Sequence, residues 1–216
     1  VPDGDERDKD IANGIRYAVD NGAKIINMSF GKSYSPYKSA VDEAVKYAVS
    51  KDVLIVHAAG NDGRNTDTTN NFPRDSYSNN TGVASSWLEV GASSWHRGKE
   101  ITANFSNYGV QNVDVFAPGV DIYSTIPDSK YASFNGTSMA APVTAGVAAL
   151  IRSYYPTLTA NQVKEILMQS AIKVKGKVLL PGSDKRKIKM TELCQSGAII
   201  NAYAAVQMAE KMVATK

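Results

Sequence analysis

A chain of 216 residues, 43% hydrophobic and 21% charged, is long enough for one sizeable buried core and has the composition of an ordinary globular protein. A net charge of +3 gives little basis for a polyanion partner, so nucleic acid is not expected. No run approaches the roughly 18 apolar residues of a membrane span, and a single cysteine, Cys194, excludes an internal disulfide.

The opening Val1-Pro2-Asp3-Gly4-Asp5 reads as a polar loop with neither an initiating Met nor a signal pattern, which fits excision from a longer precursor. Ile11, Ile15, Ala18 and Val19 then recur at helical spacing and predict a helix from Ile11 to Asn21, followed by a strand from Lys24 to Ser29. Val41, Ala44, Val45 and Ala48 predict a second helix, and Val53 to Ala58 a second strand. Further strands are expected at Trp87 to Ala92 and Val113 to Phe116. After them come a short apolar helix from Val143 to Ile151 and a helix from Ala160 to about Ala171, opened by the Thr159/Gln162 capping-box pattern. Near-continuous apolar strands interleaved with helices predict a three-layer α/β fold, with a mostly parallel sheet and helices on both faces. The basic stretch between Lys173 and Lys189, around Pro181-Gly182, reads as a solvated loop.

The densest chemistry lies in Asn135-Gly136-Thr137-Ser138-Met139-Ala140-Ala141-Pro142. Gly136 permits unusual dihedrals and close approach. Ser138 falls where a helix begins, beside unpaired N–H groups that would stabilise negative charge on a substrate oxygen. The alternative is that Ser138 is only a helix N-cap. Pro142 is expected in the first turn or just past it, where its missing N–H costs little. Asn61, in Ala59-Gly60-Asn61-Asp62-Gly63, reads by itself as a strand-to-turn residue. It and Ser29 follow the carboxyl ends of predicted strands, where such sheets carry their sites.

A hydroxyl nucleophile needs a base, and the chain has two histidines. His57, within an apolar strand, reads as a buried histidine with one satisfied ring nitrogen, unable to face the serine. His96, in a polar turn, reads as solvent-facing.

The octapeptide resembles the nucleophile motif of the subtilisin-like serine proteases. Ile25-Ile26-Asn27-Met28-Ser29-Phe30-Gly31, Val53 to Gly63, Val113 to Gly119 and Gly197 to Ala202 match further family segments in the family's order. The resemblance implies a single partial peptidase domain over residues 1–216, with the fold's N-terminal part absent, because the family's catalytic Asp and His motifs lie upstream of the first matching segment. It implies Ser138 as nucleophile and Asn61 as oxyanion-hole donor. Ser29, Phe30 and Gly31 would pair with an extended peptide, and with Ala58, Ala59 and Gly60 would wall the main specificity pocket. Its floor would be Asn71 and its mouth Asp62. Small residues along that wall leave room for a large apolar side chain, in a pocket shortened by Asn71. The implied activity is that of a serine endopeptidase acting through an acyl-enzyme on peptide or protein substrates, located outside the cell, in the periplasm or on the cell surface. Without base and orienting carboxylate the chain alone is expected to be inactive. The missing N-terminal part of the domain is its implied partner, and self-association through an exposed sheet edge near Val1 to Ile15 is expected.

Three other readings were open. A non-catalytic peptide-binding module on the same fold is distinguished by what precedes Val1. An α/β-hydrolase places a histidine after its serine, and none follows Ser138. A nucleotide site needs a glycine-rich phosphate loop, which Asn61-Asp62-Gly63-Arg64 does not supply. No cofactor is expected. Calcium is common in the family, but Asp62, Asp67 and Asp75 lack the spacing of a calcium loop.

Overall fold

Side-chain alternation along one central strand organises the molecule. In the computed structural model, which describes residues 6–214, every residue of that strand, β2 (Leu54–Ala58), is buried. Leu54, Val56 and Ala58 face one layer of helices. Ile55 faces the other, as the two-residue period of a strand requires. The first layer on the chain is α1 (Asp8–Asp20) with α2 (Lys38–Ser50). The opposite layer is α3 (Thr137–Tyr154), α4 (Ala160–Gln169) and α5 (Ala202–Ala214). The three-layer α/β architecture expected from the sequence is present.

Between the layers run β1 (Ile25–Met28), β2, β3 (Trp87–Ser93) and β4 (Val115–Pro118), all parallel. Two exposed strands, β5 (Ile122–Ile126) and β6 (Lys130–Phe134), form a separate hairpin just before α3. Later come β7 (Ile172–Lys173), β8 (Lys177–Leu179), β9 (Lys187–Lys189) and β10 (Ala198–Ile199). The main sheet has the order β1-β2-β3-β4-β10-β7. Strand β10 is parallel to β4 and antiparallel to β7, so the sheet is mostly rather than wholly parallel.

Three sequence expectations need correction. The basic stretch 173–189 is not simply a loop: it contains β7 and the antiparallel β8–β9 hairpin, held to the body by buried Val178. The helix expected from Val143 begins at Thr137, which places Pro142 inside it. It starts early because Gly136, at φ 155° and ψ 158°, supplies an N-cap conformation that side-chain-bearing residues rarely adopt. Ser138 therefore lies in the first turn and is not the N-cap. Elsewhere the Thr159/Gln162 capping box forms in full, and α1 begins three residues earlier than expected, at Asp8. Of the segment where self-association was expected, Val1 to Asp5 lies outside the described residues.

Candidate active site

The start of α3 is held by a side chain from the turn after β2. Thr137 donates its backbone N–H and its Oγ1 hydroxyl to Asn61 Oδ1, at 2.9 and 3.0 Å. Since the amide oxygen is engaged with these two donors, the Asn61 orientation is set. Its Nδ2 group stands beside Gly136, where a Cβ would lie 3.6 Å from it, and is left as a donor. Gly60 N in turn donates to Thr137 Oγ1 at 3.0 Å, so the turn after β2 and the first turn of α3 form one unit. The Ser138 N–H, in a helix's first turn, has no intrahelical acceptor.

Ser138 is tied to Ser29 in both directions. Ser138 Oγ donates to Ser29 O at 3.1 Å, and Ser29 Oγ donates to Ser138 O at 2.8 Å. The second bond has a local cause. Pro142, four residues after Ser138, has no N–H to give the Ser138 carbonyl, and the Ser29 hydroxyl takes its place.

A cleft of about 450 Å³ opens in front of these residues, and both Ser138 and Asn61 line it. Phe30, Gly31, Ala58 and Gly60 form walls, with Asn71 and Asp62 also on its surface. Asn71 Nδ2 donates to the carbonyls of Ala58 and Ala59, at 3.2 and 3.0 Å. Its Oδ1 faces Gly31 so closely that a Cβ there would sit 2.5 Å away. Gly31 is therefore a close-approach position, where any side chain would require Asn71 to move. Two residues grouped with the walls by sequence lie behind the cleft surface: Ala59 is fully buried, and Ser29 reaches the site through Ser138.

Two supporting residues escaped sequence reading. One is Thr137, whose neighbours drew attention away from it. The other is Asn107, buried, which accepts from the N–H groups of Asp62 and Arg64 at 3.1 and 2.9 Å and donates to Ala59 O at 2.8 Å. It fixes the turn that carries Asn61, and the only sequence trace of it is an asparagine followed by Tyr108-Gly109.

Neither described histidine reaches Ser138. His57 shares the sheet face of Ile55, opposite to α3. It is fully buried, as expected, but both ring nitrogens are engaged rather than one: Nδ1 with Glu89 and Nε2 with the Phe30 carbonyl. His96 is exposed and lies against Trp95, the two rings tilted by 30° with centroids 3.9 Å apart. Of the carboxylates considered for calcium, Asp67 is occupied by the backbone N–H groups of Val110, Gln111 and Asn112. Burial, and after it the Glu89 charge, pushes the Asp75 carboxyl above its ordinary range. Burial likewise raises the Cys194 thiol, which keeps it protonated and inert.

Comparison with known proteins shows the family. The subtilase family model matches residues 2–200. The chain belongs to the subtilase family. It is 40% identical to subtilisin DY of Bacillus licheniformis over 74% of its length, spanning 54% of that protein. It is 40% identical to thermitase of Thermoactinomyces vulgaris over 91% of its length, spanning 59% of that protein. Among solved structures it resembles the patellamide maturation protease PatA, with a TM-score of 0.73 and 28% identity, over 94% of this chain and 69% of that one. The chain thus spans little more than half the length of these curated relatives.

Proposed function

We propose that the chain carries the nucleophile and the oxyanion site of a serine endopeptidase that cleaves peptide bonds through an acyl-enzyme. One observation carries this reading: Asn61 is pinned by its oxygen to the first turn of α3, so its N–H₂ group and Ser138 share one cleft. In the reaction the externally supplied base would take the Ser138 Oγ proton as Oγ attacks the peptide carbonyl carbon, the carbonyl oxygen would take up the electron pair, and the base would hand the proton to the departing amine. Asn61 Nδ2 and the Ser138 N–H would donate to that oxyanion, in a site organised before charge develops. Collapse of the tetrahedral species would expel the amine and leave the acyl group on Ser138; water would then release it. Ser29, Phe30 and Gly31 would present backbone to an extended peptide, in the manner of strand addition. Ala58, Gly60 and Asn71 would bound the pocket for one side chain, with Ala59 supporting Asn71 from behind.

The base and its orienting carboxylate are, in this reading, supplied from outside these 216 residues, since no described histidine faces Ser138. The supplying segment would add beside β1, which among the described residues has a strand neighbour on one side only. A second copy of the chain would compete for the same edge. A setting outside the cytoplasm goes with this reading; no described helix is long and apolar enough to cross a membrane. The chemistry requires no cofactor.

Labelling with a fluorophosphonate, followed by peptide mapping, tests the proposal. The isolated chain should label slowly, and the chain preceded by its natural reading frame quickly, at Ser138 in both cases and not at all after Ser138→Ala. The absence of a facing histidine favours a second reading, a peptide-binding module without catalysis. Failure of the longer chain to label, with retained peptide binding, would establish that module instead.

A further inference from the structure

The backbone ladder between β1 and β2 closes at Met28 and His57, yet the three residues read as the peptide-binding edge come just after it. A side chain takes over where the ladder stops. His57 Nε2 lies 2.7 Å from the carbonyl oxygen of Phe30, two residues beyond the last pair. The other nitrogen, Nδ1, lies 3.0 and 2.9 Å from Oε1 and Oε2 of Glu89. Glu89 Oε2 also accepts from Trp87 Nε1 at 2.8 Å.

With Glu89 ionised, both groups facing the ring are acceptors. A neutral imidazole has one N–H and one bare lone pair, so it would hold that lone pair against an oxygen at hydrogen-bond distance, in a site from which the Phe30 and Trp87 rings help exclude water. A ring with a proton on each nitrogen satisfies both contacts, its charge matched by the Glu89 carboxylate. Around Glu89, Asp114 Oδ2 accepts from Glu89 N at 2.7 Å, Lys164 lies 3.0 Å from Asp114 Oδ1, and the Glu89 charge helps to raise the Asp75 carboxyl.

We propose that His57 is a positioning residue of the peptide-binding edge: doubly protonated and held by Glu89, it anchors the Phe30 carbonyl inward and so turns the peptide groups of Ser29 and Gly31 toward the cleft. Successive carbonyls of an extended segment point to opposite sides. Ser29 O does face the cleft side, toward Ser138 Oγ. The peptide-binding half of this inference rests on the function proposed above; the anchor itself does not.

Two measurements on the full 216-residue chain test it. In ¹H–¹⁵N correlation spectra at neutral pH, the buried histidine should show a proton on each ring nitrogen; a bare nitrogen overturns the proposal. The second measurement is calorimetric binding of acetyl-Ala-Ala-Ala-Leu with a free carboxylate to the wild type, His57→Leu and His57→Gln. Loss of the anchor should weaken binding by about tenfold, and glutamine, which can still donate to Phe30 O, should recover most of it. Equal binding by His57→Leu, or a loss that glutamine does not recover, overturns the positioning role. Absence of binding to the wild type overturns the peptide-binding reading itself, while the ring spectra still decide the anchor. Should the leucine variant fail to fold, the spectra of the wild type decide alone.

Discussion

At the scale of single residues, buried polar groups on the α1/α2 face of the sheet separate what sequence can tell from what it cannot. An apolar strand pattern placed His57 indoors and turned it from Ser138, because strand alternation fixes which face a residue occupies. It could not supply the partner, since Glu89 is 32 residues away. A trace existed: a glutamate inside the apolar strand Trp87–Ser93 needs a buried cation or donor. Asp75 belongs to the same region and yields a pH prediction. Burial raises its carboxyl in the folded protein, so between the ordinary value of 3.8 and the raised one the fold binds a proton that the unfolded chain releases. The wild type should therefore lose stability as pH climbs through that window. Asp75→Asn, which has no charge to bury, should lose less, and its advantage should widen as pH rises above 3.8. Urea denaturation of both proteins across that range checks it; parallel curves would contradict the assignment.

At the scale of elements, periodicity located α1 to α4 and the long strands because each has a buried face. What it missed were α5, which buries only Ala205 and Ala209, and the short, solvent-facing hairpins. Strands β5 and β6 are exposed or half-buried along their whole length, so no core imposes a pattern on them; their sign lay in the turn, where Asp128 and Ser129 both take positive φ. The β8–β9 hairpin was hidden by its lysines, with Lys177 directly opposite Lys189. Cap chemistry, by contrast, was legible and is testable. The Thr159 hydroxyl accepts from Gln162 N at 3.2 Å, and the Gln162 side chain accepts from Thr159 N at 2.9 Å. Thr159→Ala should cost about 1 kcal/mol, read as a lower denaturation midpoint with an unchanged slope. No change would mean that Asp52, which accepts from Ala160 N at 2.7 Å, is sufficient to hold the start of α4.

For the whole molecule, the three-layer arrangement followed from alternating helices and strands, and the site from where two strand ends meet one helix start. The sequence motifs named Ser138 and Asn61 separately. Their juxtaposition depends on Thr137 and Gly136, which bring the first turn of α3 against the turn after β2. The insertion of β10 between β4 and β7 was not legible, because two-residue strands carry no period. The account as a whole stands on one geometric relation, an amide donor aimed where a substrate oxygen would gain charge on attack by Ser138. The crystal structure of the fluorophosphonate adduct, made with the natural reading frame upstream, tests that relation most directly. The account predicts phosphorus bonded to Ser138 Oγ and a phosphoryl oxygen within hydrogen-bond distance of Asn61 Nδ2 and Ser138 N. Phosphorus on another residue, or a phosphoryl oxygen turned away from Asn61, would contradict it.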